Sequence, residues 1–107
     1  MRILLDECVN AGVRRAFPGH VVETVPESGW RSSKDGPLLV LAQDRFDVFV
    51  TLDASLEHQN NLKKLRLGFV IVRVRNNEIA SYQPIFNQLK TAAETVQPGE
   101  VIHVVSP

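Results

Sequence analysis

The chain has 107 residues, 12 Lys and Arg against 12 Asp and Glu, and 44% apolar side chains. That apolar share supports one continuous core but not two, so a single domain over residues 1–107 is expected. The zero net charge excludes a general basic field, and with it binding to nucleic acid by bulk charge alone.

The first element is a short apolar strand, Arg2 to Leu5, followed at once by Asp6 and Glu7. Those acids interrupt the apolar run before a signal core or membrane span could form, and the lone Cys8 excludes an internal disulfide. The cytoplasm is therefore the expected compartment. Val9, Val13 and Phe17 recur at helical spacing up to Pro18-Gly19, and His20 to Val25 reads as a second strand. Pro26 to Ser33 has no period and reads as a loop, with Trp30 as its packing anchor.

Lys34-Asp35-Gly36-Pro37 opens a helix through Leu38, Leu39, Leu41 and Ala42 that ends near Asp44-Arg45. Phe46 to Leu52 is β-branched and aromatic on both faces, as a central strand covered on both sides requires. Ser55 to Leu65 is helix-compatible, and Gly68 to Val74 is another buried strand. Ile79 to Val96 carries a helical stripe through Tyr82, Ile85, Phe86, Leu89 and Ala93, and Glu100 to Val105 closes as a strand. The alternation predicts a three-layer, doubly wound α/β domain: five mostly parallel strands, helices on both faces, and right-handed connections.

In such a sheet the functional crevice lies beyond the carboxyl ends of the strands. Asp6 and Glu7 follow the first strand, Asp53 follows the third, and Asp35 begins a helix reached from the second. Crowded carboxylates repel unless a cation or a shared proton intervenes, and hard divalent ions such as Mg2+ or Mn2+ prefer oxygen ligands. Asp35 also suits a helix cap, Asp53 a turn before Ser55, and Glu7 a solvated or supporting place beside the ligands. His20, His58 and His103 have no zinc spacing, Cys8 has no histidine partner, and no Gly-rich phosphate loop is present.

In chain order, ILLDE at 3–7, ESGW at 27–30, KDGPLLVLA at 34–42, FDVFVTLD at 46–53, HQNNL at 58–62 and PGEV at 98–101 resemble the compact PIN-like domains of the toxin-like branch. The resemblance implies a PIN-like fold, a ribonuclease dependent on Mg2+ or Mn2+, an RNA substrate and a small antitoxin partner. Homodimers are common in that group. The matching metal-binding acids are Asp6, Asp35 and Asp53, with Glu7 as a further catalytic candidate. Arg31, Lys34, His58, Gln59 and Asn60 are candidates to hold the RNA backbone or exposed bases. One departure concerns Ser55, which stands where such nucleases often carry another acid.

Two other readings are open on the residues. A PIN-like module that has lost catalysis would act only through a protein partner, as Ser55 allows. A phosphoacceptor receiver would also place acids after its first strand and an aspartate, here Asp53, after its third. Receivers need a Ser or Thr ending the fourth strand and a Lys ending the fifth, where this chain has Val74-Arg75 and Ser106-Pro107.

Overall fold

A computed structural model describes every residue from Met1 to Pro107. Five strands, β1 (Arg2–Leu5), β2 (Val21–Thr24), β3 (Val48–Thr51), β4 (Gly68–Arg73) and β5 (Val101–Val105), form one sheet in the order β2-β1-β3-β4-β5. Every pairing is parallel. Burial explains the arrangement: β3 sits at the centre and all four of its residues are buried, which its unbroken apolar pattern requires. No helix is long and apolar enough to cross a membrane.

The helices are shorter than the periodicity predicts, and each break has a local cause. The expected helix over Val9 to Phe17 is a 3-10 segment, Ala11–Ala16, capped by the Asn10 side chain on Gly12 N–H. Gly12 lies so close to Ile79 that a Cβ there would stand 3.0 Å from the Ile79 Cδ1 atom. α1 (Asp35–Ala42) forms as expected. The 55–65 stretch divides into α2 (Leu56–Gln59) and a 3-10 turn at Leu62–Lys64, because Asn60 is extended at φ −133°. The long helix over 79–96 becomes α3 (Ile79–Tyr82), a 3-10 turn at Gln83–Ile85 and α4 (Phe86–Thr95). Pro84 lies in that turn, and it has no N–H to continue the helical ladder.

Two cores lie on opposite faces of the sheet. On the first, Ile3, Leu5, Val50 and Val72 pack with Val13, Tyr82, Ile85 and Leu89. On the second, Leu4, Phe49 and Phe69 pack with Leu38, Leu39, Leu56 and Leu62. Each fully buried side chain of this size contributes about 1.5–3 kcal/mol relative to exposure.

This division of the cores corrects one expectation. The β1–β2 and β4–β5 connections cover the same face, yet they cross the sheet in opposite directions. The β2–β3 and β3–β4 connections run the other way on the second face, which gives them the hand of β1–β2. One connection in four, β4–β5, therefore has the opposite hand, against the strong general preference for a single one. Coverage supplies the reason. The six-residue 3-10 segment after β1 is too short to cover Val48, Val50, Val70 and Val72, and the apolar stripe of α3 and α4 takes that place.

Candidate functional site

The strand order reverses between β1 and β3, and this switch point is where a doubly wound sheet opens a crevice. Asp6 stands there because its backbone N–H extends the ladder by donating to the Val50 carbonyl at 2.9 Å. Asp53 follows β3 by two residues, and Thr51 joins the two. Its hydroxyl donates to Asp6 Oδ2 at 2.7 Å and accepts from the Asp53 N–H at 3.0 Å. Thr51 is fully enclosed and is the only polar residue among the buried side chains. In the sequence it is visible only as one hydroxyl within an apolar strand.

Asp35 opens α1 from the other side of the crevice. Lys34 holds the N-cap position and no side chain caps the helix, so Asp35 is not the cap. Burial pushes its carboxyl above the ordinary range, and the negative charges of Asp6 and Asp53 push it further. None of the three aspartates takes part in an ion pair, whereas Glu23, Glu27, Asp44, Glu57 and Glu94 all do. The site is thus a group of carboxylates without ion-pair partners, in which Asp35 senses the other two.

Their spacing is open. No three His, Cys, Asp or Glu side chains stand close enough to enclose one ion. Several carboxylate oxygens are already engaged: Asp6 Oδ1 accepts from Glu7 N–H at 2.8 Å, and Asp53 Oδ1 accepts from Ser55 N–H and Oγ at 3.0 and 2.6 Å. Asp53 therefore also serves the turn, with Ser55 bound to it. Such a donor set does not make a closed cage for a metal ion.

The remaining sequence candidates divide. Glu7 is engaged with the loop: its Oε1 accepts from the N–H of Ser32, a residue held at φ 60°. That bond ties the 26–33 loop, with Arg31, to the end of β1. Arg31 and Lys34 are exposed on the loop side of Asp35 and make no ion pair. His58 and Gln59 line an open groove of about 710 Å³ with Lys63 and Glu100, and none of the three aspartates borders it. Asn60 turns back to Leu56, its Nδ2 donating to that carbonyl at 3.1 Å, and lies beside Gly36 of α1.

Sequence reasoning missed a second support as well. Asn77, in the loop after β4, donates from Nδ2 to the Cys8 carbonyl at 2.9 Å and accepts at Oδ1 from Asn10 N–H and from the buried Tyr82 hydroxyl. The reversed β4–β5 connection is what carries this loop over the end of β1. Cys8 lies beside it, with Sγ 3.6 Å from Asp6 Oδ2. Burial pushes its thiol up and the charge of Asp6 adds to this, which disfavours the thiolate.

Fold and site together define a doubly wound α/β domain with three aspartates without ion-pair partners near its switch point. Compared with models of protein families, with curated proteins and with solved structures, the chain matches none.

Proposed function

We propose that the domain is a ribonuclease that hydrolyses phosphodiester bonds with the help of Mg2+ or Mn2+. The observation that supports this most is the uncompensated trio of Asp6, Asp35 and Asp53 at the switch point. Asp6 and Asp53, braced by Thr51, are the carboxylates that would hold the hydrated ion. When bound, the ion supplies charge stabilisation to the phosphate and a template for the attacking water. Asp35, with its raised affinity for protons, is the carboxylate best suited to take the proton of that water. Arg31 and Lys34 are free to meet phosphates entering from the loop side. A small antitoxin partner and a homodimer belong to the same proposal through the PIN-like resemblance.

The deciding experiment is cleavage of single-stranded RNA with Mn2+, comparing wild type with Asp6→Asn. Metal-dependent cutting by the wild type alone is expected, and no cutting by either protein would sink the reading.

A second reading, a PIN-like interaction module without catalysis, draws on the open spacing of the acids and the Ser55 bond to Asp53. Its mark would be a stable complex with a small partner in a protein that cuts no RNA. The receiver reading lacks a hydroxyl residue ending β4 and a lysine ending β5. Transfer of a phosphoryl group to Asp53 from a small phosphodonor would revive it.

A further inference from the structure

The reversed β4–β5 connection leaves part of the second face without a helix. α3 and α4 lie on the first face, and the β3–β4 connection offers the second face only the four-residue α2 and a three-residue 3-10 turn. Ile71 stands at the edge of that part of the face. It is 3% exposed, yet alone among the buried apolar residues it belongs to neither core. It lines a cleft of about 490 Å³ at the carboxyl ends of β3, β4 and β5, together with Leu52, Ala54, Arg73, His103 and Val105. Leu52 and Ala54 are the neighbours of Asp53 on either side, so the cleft adjoins that residue.

Charge identifies what such a cleft would accept. Arg73 has no carboxylate partner, and neither does the exposed Arg75 beside it; of the arginines without such a partner, which also include Arg15 and Arg31, Arg73 is the one that lines this cleft. His103 is held by Glu57 at 2.8 Å. An unpaired guanidinium matches a phosphate with two parallel hydrogen bonds, and apolar walls match the faces of a base. The volume lies within the range of small-ligand sites.

We propose that this cleft binds a nucleotide of the RNA strand next to the phosphate being cut, its base against Ile71 and Val105 and its phosphate on Arg73. Because the occupant is part of the strand being cut, the assignment rests on the nuclease reading. It adds a second flank to the substrate path: Arg31 and Lys34 lie on one side of the acids, Arg73 on the other.

Mononucleotides test the cleft without metal or catalysis. In a 15N-resolved NMR titration of the wild-type protein, UMP and AMP are expected to shift the amides of Ala54, Arg73 and Val105, with inorganic phosphate acting more weakly. Arg73→Ala removes a charge-assisted contact and is expected to weaken binding about 10-fold. Val105→Glu, at a position 59% exposed and so tolerant of substitution, is expected to do the same by repelling the phosphate. In RNA cleavage both variants should raise KM and leave kcat near wild type.

Nucleotide shifts that appear elsewhere or nowhere would overturn the assignment, as would variants that cut RNA with wild-type KM. A concentration-dependent dimer abolished by Val105→Glu, with no nucleotide response, would make the cleft an interface between copies and overturn it equally. Cleft binding in a protein that cuts no RNA would sink the nuclease reading and leave the cleft a nucleotide site.

Discussion

The two ends of the sheet carry similar charged residues and use them differently. Around the amino ends of β1 and β3, Glu23 lies 3.9 Å from Arg2 and 3.6 Å from Arg45, and Asp47 accepts from the Arg2 N–H at 2.8 Å. The Arg45 guanidinium also sits 4.8 Å over the Trp30 ring, which meets Phe46 edge-on at 6.0 Å. Charge there is neutralised locally, so the cluster serves structure, and Trp30 is the anchor its loop called for. At the carboxyl ends, Asp6, Asp35 and Asp53 have no cation, and one of them is held above its ordinary pKa by burial and by the other two. Neutralised charge marks scaffold, and charge left unneutralised marks a place prepared for something else.

The sharpest test of that contrast is the pair Asp6→Asn and Arg45→Ala. Asp6→Asn should lower metal-dependent RNA cleavage on the order of 100-fold, the scale on which removal of one charge-stabilising group acts. Its Tm should fall only slightly, because the relief of repulsion offsets the one acceptor, for Thr51 or for the Glu7 N–H, that the amide takes away. Cleavage assays and thermal melts together check both halves, and a Tm drop of several degrees would show that Asp6 is structural after all.

Next in size is Thr51→Val, which deprives the half-buried Asp6 carboxylate of its donor and the Asp53 N–H of its acceptor. Stranding buried polar groups costs about 1–3 kcal/mol, and denaturant midpoints should record it. Thr51→Ser, which keeps the hydroxyl, should recover most of the loss.

A smaller loss, about 0.5–1 kcal/mol, is expected for Arg45→Ala from its contact with Trp30, with RNA cleavage unchanged. Equal loss of cleavage in Arg45→Ala and Asp6→Asn would erase the distinction between the ends.

Acid response separates the two kinds of carboxylate by sign. Asp35 has a raised folded-state pKa, so the native state binds more protons there than the unfolded chain does. Its contribution makes stability fall as pH rises from the ordinary carboxylate range through the raised value. Glu27, lowered by the Thr24 backbone N–H and by Arg14, and Glu94, lowered by its bond to His20, act oppositely. Their contribution is present above the ordinary range and is lost as pH falls through their lowered values. Stability of Asp35→Asn minus wild type, measured across pH 3 to 7, should therefore rise with pH, and added Mn2+ should shrink that difference; a flat difference would mean that Asp35 does not sense its neighbours.

The strands were legible because a buried parallel strand writes itself as a continuous apolar run. Arg2–Leu5 and Val48–Thr51 lie where the apolar residues put them. The same pattern overestimated the helices, since spacing alone does not register the extended Asn60 or the turn around Pro84. Among the candidate residues, the strand pattern was enough to place Asp6 and Asp53 at the carboxyl ends of β1 and β3. It was not enough to find Thr51, whose partners on other segments exist only once β1 and β3 are paired. Glu7 resembled its neighbour in the chain, yet it proved to hold Ser32.

From the order of its residues alone, the chain determined its α/β class, its five strands and the end of the sheet at which acids gather, because hydrophobic period and strand-end placement are local properties. Tertiary structure decided the rest: how widely the three aspartates are spaced, which hydroxyl joins them, and which face each connection covers. Those outcomes depend on contacts between residues far apart in the chain, as when α4 takes the face that a six-residue segment could not cover and Ile71 comes to line a cleft.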